Sequence, residues 1–134
     1  MPIAGEIAMR RRTILAGATL GPMLLLGCNR IAPVYTVTEA NFLGSAPLSR
    51  RADQIRRAAI RRNWAVQDTR AGAMRATFNA RGNQAVVEIT YTRDSFSIRH
   101  LESSNLNFNG TEIHRAYNGW VQDLERGIIA ASAT

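Results

Sequence analysis

Residues 74–91 read MRATFNARGNQAVVEITY, and this stretch decides the fold. Apolar and polar side chains alternate on both sides of the short segment Arg81-Gly82-Asn83. Alternation with a period of two is typical of a strand with one buried face, and glycine beside asparagine is typical of a tight turn. The stretch therefore predicts an antiparallel hairpin. Its apolar face carries Met74, Ala76, Phe78, Ala80, Ala85, Val87, Ile89 and Tyr91.

One further strand is expected on each side of this hairpin. Trp64 and Val66 alternate with Ala65 and Gln67 before it, and Phe96 and Ile98 follow the next turn. Four consecutive strands joined by short turns predict an antiparallel meander with one face toward a core.

Amphipathic helices are predicted before and after the meander. The first helical face carries Leu48, Ala52, Ile55 and Ala59, and the last carries Ile113, Tyr117, Trp120, Val121, Leu124 and Ile128. These spacings follow the helical period. Ser49 is a candidate N-cap for the first helix, and Asn63 can adopt the left-handed conformation that ends it. We therefore predict an α+β domain, a four-stranded antiparallel meander with an N-terminal and a C-terminal helix packed on one face.

The predicted globular domain covers residues 48–130, followed by a tail at 131–134. Residues 28–47 contain Pro33, Pro47 and Gly44, which interrupt regular structure, and we expect this segment to be a tether. Residues 34–37 are the one part of it in which a short edge strand fits.

Cys28 is the only cysteine, and it closes an apolar run that follows Arg10-Arg11-Arg12. The run at residues 13–27 has the length of a secretory signal core and is short for a membrane span. Leu25 and Gly27 stand where lipoprotein signals carry leucine and a small residue. We predict that residues 1–27 are cleaved and that Cys28 is acylated, which would hold the mature protein on a membrane.

Two features of this N-terminal region refine the predicted location. The residue after Cys28 is Asn29 and not aspartate, so we expect the periplasmic face of the outer membrane. Export by the general route or by the twin-arginine route remains open, since Arg11-Arg12 fits either.

The charge balance is strongly basic. The whole chain carries a formal net charge of +7, and removal of residues 1–27 leaves +5. All of the basic side chains other than histidine are arginines. A candidate binding surface is expected on the first helix, at Arg50, Arg57 and Arg61, with Arg51, Arg56 and Arg62 beside them. Such a face suits anionic headgroups or an acidic partner protein, the alternative being an ordinary solvated face.

Polar residues of the last loop and last helix form a second candidate surface. It comprises Ser103, Asn105, His114, Arg115 and Asn118. His100 and His114, with Glu112, would make a metal site if they converged, and structural roles for both histidines are the alternative. We identify no catalytic residues and no resident cofactor or metal, and the arginines lack the interleaved aromatic residues of a nucleic-acid binder.

Three segments together resemble a family of small proteobacterial outer-membrane lipoproteins of unknown function. They are Ile98-Arg99-His100, the Ser-Asn-Leu loop at Ser104-Asn105-Leu106, and the helix Ile113-His114-Arg115-Ala116-Tyr117-Asn118-Gly119-Trp120. The resemblance implies the same location at the outer membrane and the same fold, and it implies no particular activity. The family pattern often has an aromatic residue at His100 and glycine at Asn63.

Two functions follow from these observations. The first is a membrane-anchored, periplasm-facing lipoprotein that acts as a non-enzymatic envelope assembly or interaction module, with an envelope protein or anionic lipid as partner. The alternative is a module that binds a small ligand or metal through His100 and His114.

Overall fold

The computed structural model describes residues 30–134, and residues Ile31–Thr134 form one compact unit. The elements in chain order are β1 (Ile31–Pro33), β2 (Val37–Asn41), α1 (Leu48–Arg61), β3 (Trp64–Arg70), β4 (Ala73–Ala80), β5 (Asn83–Tyr91), β6 (Ser95–Ser104), β7 (Glu112–His114) and α2 (Arg115–Ala131). Neither of the two helices in residues 30–134 is long and apolar enough to cross a membrane.

The predicted meander is present as strands β3 to β6, but the sheet has five strands and not four. Its order is β2-β6-β5-β4-β3, with every neighbouring pair antiparallel. The additional strand β2 pairs with β6, Val37 opposite Ile98 and Ala40 opposite Phe96. Val37 is buried, and the ring of Phe42 lies 5.1 Å from that of Phe96. The apolar contact with β6 explains why this segment joins the sheet.

The prediction of a tether at residues 28–47 is wrong for the part that the structure describes. Strand β1 pairs with β7, Ile31 opposite His114 and Pro33 opposite Glu112, in a separate two-stranded sheet. The Asn118 side chain donates to the Pro33 carbonyl at 2.8 Å and accepts from the Tyr35 amide at 2.8 Å. Pro33 is the last residue of β1, a position in which proline is compatible with strand pairing, and Pro47 is the N-cap of α1. Neither proline therefore excludes regular structure here.

The predicted tail at residues 131–134 also belongs to the domain. Ala131 is the last residue of α2, and Ser132 is buried. The Ser132 hydroxyl accepts from the Leu43 amide at 2.8 Å and donates to the Ile129 carbonyl at 2.6 Å. This residue therefore connects the end of α2 to the loop before α1.

The prediction of a Ser49 N-cap is wrong, because helix α1 begins two residues earlier than that cap requires. Pro47 occupies the N-cap position and makes no side-chain hydrogen bond, while Ser49 lies within the first turn. The prediction for the other end is confirmed, because Asn63 has φ of 68° directly after the helix. Asparagine tolerates this left-handed conformation better than most residues do.

A single core joins both helices to one face of the five-stranded sheet. The predicted stripe of α2 is buried at Tyr117, Val121, Leu124 and Ile128, and α1 contributes Ile55, Ala58 and Ala59. Ile113, predicted on the same helix, is buried on strand β7 instead, because α2 begins only at Arg115. The sheet contributes Met74, Ala76, Val87, Ile89, Phe96 and Ile98. Trp120 is half-buried, and its ring packs 4.7 Å from that of Phe78. The alternation in residues 74–91 thus selects the face on which the helices pack.

Candidate functional site

The arginines of α1 do not form one surface, because Arg51 is fully buried. Its guanidinium donates to the carbonyls of Arg93 and Gly44, both at 2.9 Å, and to those of Leu43 and Ser132, both at 3.3 Å. It also donates to Oε1 of Gln54 at 3.0 Å. Arg51 thereby ties together the loop before α1, the turn between β5 and β6, and the end of α2.

Neutral groups compensate the buried charge of Arg51, since it makes no ion pair among residues 30–134. Its guanidinium carbon lies 4.4 Å from the centre of the Phe42 ring. Backbone carbonyls at the C-terminal end of a helix carry partial negative charge, and Ser132 supplies one of them. Gln54 is buried beside it. Arg51 and Gln54 therefore belong to the scaffold.

Two further arginines of this region form ion pairs. Nη2 of Arg56 donates to both carboxylate oxygens of Asp68, at 2.9 and 3.0 Å. The Nε atom of Arg62 lies 3.3 Å from Oδ2 of Asp123, an ion pair whose geometry is not that of a hydrogen bond. The Arg62 guanidinium also lies over Gly127, where an added Cβ would collide with it. Glycine at this position allows the arginine to pack against α2.

Arg50, Arg57 and Arg61 are exposed, and none of them pairs with a carboxylate in the described part of the chain. Arg57 donates to Oγ1 of Thr134 at 3.0 Å, and this hydroxyl donates in turn to the Ala131 carbonyl at 2.8 Å. A neutral hydroxyl orients Arg57 without cancelling its charge. The predicted surface is thus reduced to these three arginines and the partly exposed Arg62.

These arginines line a groove of two adjoining parts between α1 and the end of α2. The inner part, about 380 Å³, is lined by Arg57, Ala58, Arg61, Arg62, Gly127, Ala130, Ala131 and Thr134. The outer part, about 420 Å³, is lined by Pro47, Ser49, Arg50, Asp53, Arg57 and Thr134. We call the two parts together the arginine groove. Its inner part combines an arginine rim with a floor of small residues.

The groove arginines differ in their effect on helix stability. Arg50 lies in the first turn of α1, which contains no acidic residue. A cation there opposes the helix dipole, typically by about 0.3–1 kcal/mol. Arg61 lies in the last turn, where a cation is favourable, and Arg57 has Asp53 four residues before it and Arg61 four residues after it. Only Arg50 is therefore left unexplained by helix stability.

The histidines make different contacts from those that a shared metal site requires. Nε2 of His100 lies 2.9 Å from Oγ of Ser103, and its ring stacks on Phe108 with centres 4.1 Å apart. Its ring centre is 5.5 Å from that of Tyr117. Burial lowers the pKa of His100, while the charge of Glu102 acts in the opposite direction.

His114 instead caps α2, because its Nδ1 accepts a hydrogen bond from the Ala116 amide at 3.1 Å. Glu112 accepts from the Asn109 side chain at 3.4 Å. No group of three or more His, Cys, Asp or Glu side chains in the range 30–134 is arranged to hold a metal ion. The metal hypothesis therefore gains no support from the geometry of these residues.

The other residues of the second candidate surface are spread over separate local contacts. Asn105 has φ of 61° and donates to the Gly82 carbonyl at 2.7 Å, and Ser103 bonds to His100. Asn118 holds the segment after β1, while Arg115 is exposed at the start of α2. Ser103 and Asn105 thus have local structural contacts only, whereas His114, Arg115 and Asn118 line one open cavity of about 560 Å³ together with Ala32 and Gln122.

Sequence reasoning missed the part of the groove that α2 supplies, namely Gly127, Ala130, Ala131 and Thr134. Gly127 inside a helical stripe was the available signal, since glycine in a helix interior usually has a packing reason.

Cys28 lies outside the described residues. The chain matches no protein-family model, no curated protein and no solved structure.

Proposed function

We propose that this protein is an outer-membrane lipoprotein, anchored through an acylated Cys28, that faces the periplasm and works as a non-enzymatic interaction module. The observation that supports the anchor is the position of the compact unit, which begins at Ile31. Cleavage before Cys28 would remove no residue of that unit. The boundary suggested by the signal pattern and the boundary of the folded unit therefore agree closely.

The short connection gives the anchor a structural consequence. Only Asn29 and Arg30 separate Cys28 from strand β1, so the acylated residue would lie within about 11 Å of Ile31 along the chain. Strand β1 is held by β7 and by Asn118, and the Tyr35 hydroxyl donates to Oε1 of Glu125 at 2.6 Å. The proposed anchor would therefore be followed, within three residues, by a strand that pairs with β7.

The interaction role is supported by the arginine groove. It presents three arginines without carboxylate partners among residues 30–134, and Arg57 is oriented by Thr134. The histidines that the alternative function uses make local contacts with Ser103 and with the Ala116 amide. The groove is thus the better candidate for recognition.

Mass spectrometry of the protein purified from membranes tests the anchor directly. Trypsin cleaves after Arg30, so the acylated form should yield the lipid-modified tripeptide Cys28-Asn29-Arg30. The Cys28→Ala variant should lose this modification and retain residues before position 28. An unmodified Cys28 in the membrane-derived protein, or the same N-terminus in both proteins, would contradict the proposal.

The predicted membrane is tested by density-gradient separation of inner and outer membranes. Wild-type protein should be found in the outer-membrane fraction, while Asn29→Asp should shift it toward the inner membrane. Asn29→Gln is the matched control, since it changes the same residue without adding a charge. Equal distribution of all three proteins would contradict sorting by residue 29.

A further inference from the structure

We propose that the arginine groove is a binding site for a ligand that carries one or two phosphate groups. The inference names a ligand class for the interaction role and rests on that role, but it does not depend on acylation of Cys28. Every groove residue lies in α1, in α2 or directly beside them.

The available hydrogen-bond donors provide the first argument. A guanidinium has five N–H donors and remains charged at physiological pH. Arg57 donates one side-chain hydrogen bond, to Thr134. Arg50 and Arg61 are exposed and have no carboxylate partner in the described part of the chain. Most donors of these three side chains are therefore free to bind an anion.

The spacing of the arginines provides the second argument. Arg50, Arg57 and Arg61 lie on one side of α1, separated along its axis by about 10 Å and about 6 Å. The tetrahedral oxygens of phosphate can accept from more than one guanidinium, whereas a carboxylate is typically satisfied by a single fork. We therefore place one phosphate between Arg57 and Arg61, which both line the inner part, and assign Arg50 in the outer part to a second group.

The groove floor favours a small charged group over an apolar ligand. Ala58, Ala130 and Ala131 add no large apolar surface beneath the arginine rim, and Gly127 is covered by the Arg62 guanidinium. Among residues 30–134 no aromatic side chain lines either part, so stacked bases have no platform there. Asp53 lines the outer part, and Arg62 is paired with Asp123, so the positive charge of the inner part comes mainly from Arg57 and Arg61.

The position of Arg50 gives an independent reason. A cation in the first turn opposes the dipole of α1, and that turn contains no acidic residue. Residues that break a local stability rule are expected at functional sites. A bound phosphate would offset this unfavourable charge.

The test uses the full chain carrying Cys28→Ala in a nonionic detergent, so that its outcome is independent of lipid attachment. Titration with inorganic pyrophosphate should shift the Nε–Hε NMR signals of Arg57 and Arg61 and leave those of Arg75 and Arg93 unchanged. Water-soluble short-chain phosphatidylglycerol, compared with the matching phosphatidylcholine, forms the second arm. Response to pyrophosphate indicates a free phosphate compound, and response to phosphatidylglycerol alone indicates a lipid headgroup.

Paired variants determine whether the groove is responsible. Arg57→Ala with Arg61→Ala should weaken binding of the responding probe by at least about tenfold, since each removes a charged hydrogen bond. Arg75→Ala with Arg93→Ala removes the same charge from exposed positions outside the groove and should leave affinity within about twofold. Circular dichroism should report the same fold for both proteins. Absence of binding to both probes, or equal loss in the two double variants, would overturn the proposal.

Discussion

Arg51 and Arg57 are six residues apart on the same helix, yet they have opposite environments. Arg51 is fully buried, and its guanidinium donates to four backbone carbonyls and to Gln54. Arg57 is exposed, and its guanidinium donates to the hydroxyl of Thr134. The donors of Arg51 are thus satisfied by protein acceptors, while most donors of Arg57 face solvent.

The difference teaches that arginine on a helix has a role set by its acceptors and not by its charge alone. A buried guanidinium is tolerated when its donors are satisfied, and then its removal leaves carbonyls unpaired. An exposed guanidinium contributes little to stability and is free for recognition. Stability and binding measurements should therefore separate these two sets of arginines.

The largest expected effect follows from removing the buried arginine. Arg51→Ala should lower the free energy of unfolding by about 3 kcal/mol or more, because several buried carbonyls would lose their donor. Arg51→Lys should recover only a part, since an ammonium cannot reproduce the guanidinium fork. Urea unfolding at constant pH measures both. A loss below about 1 kcal/mol for the alanine variant would show that the hydrogen bonds of Arg51 contribute little to the stability of the domain.

A buried polar group without a partner should behave in the opposite way. The Tyr117 hydroxyl is buried and has no hydrogen-bond partner among residues 30–134, and burial raises its pKa far above the ordinary value. Tyr117→Phe should therefore raise the free energy of unfolding by about 1 kcal/mol, because it removes an unsatisfied hydroxyl and keeps the ring. Urea unfolding and a fluorescence-monitored thermal melt can check this. A clear loss of stability would mean that the hydroxyl has a partner in solution.

The contact between Arg62 and Gly127 predicts a coupling of intermediate size. Gly127→Ala should gain up to about 1 kcal/mol from helix propensity. In the wild-type background the new Cβ would displace the Arg62 guanidinium from its bond to the Ala58 carbonyl and its pair with Asp123. We expect the stabilisation to emerge only in the Arg62→Ala background. A double-mutant cycle measures this coupling, and additive effects would contradict the contact.

The smallest expected effect is the pH dependence of stability that His100 causes. Burial lowers the pKa of His100 below its ordinary value of 6.5, so the unfolded chain binds the proton more readily than the folded one. Stability should therefore fall as pH decreases from 6.5 toward the folded pKa, and level off below it. His100→Phe should reduce this fall, which denaturation at several pH values can measure. His114→Asn, at the other histidine, is the control that should retain it.

The sequence predicted the elements whose patterns are long and regular. The alternation at Met74 to Tyr91 and the stripe at Tyr117, Val121 and Leu124 each describe a surface that can be buried in only one way. Strands β1 and β2 are three and five residues long, and the edge strand expected at residues 34–37 shares only Val37 with β2. They form because β7 and β6 offer edges to pair with, which is information outside their own segments.

The candidate site was predicted only in its general location. The arginine content of α1 drew attention to the correct helix, but Arg51 and Gln54 proved to be internal. Gly127, Ala131 and Thr134 lie more than sixty residues away in the chain and complete the groove. Their contribution depends on how α1 and α2 pack, which a one-dimensional pattern does not contain.

By itself, the sequence determined the α+β class, the buried face of the central strands, the apolar stripe of α2 and the left-handed end of α1 at Asn63. These features follow from local periodicity and backbone preference. Tertiary structure alone decided that the segment after Arg30 joins the fold, that Arg51 is internal, and that Arg57 and Arg61 face a groove. Those outcomes depend on which distant groups supply acceptors and exclude water, and packing is what brings such groups together.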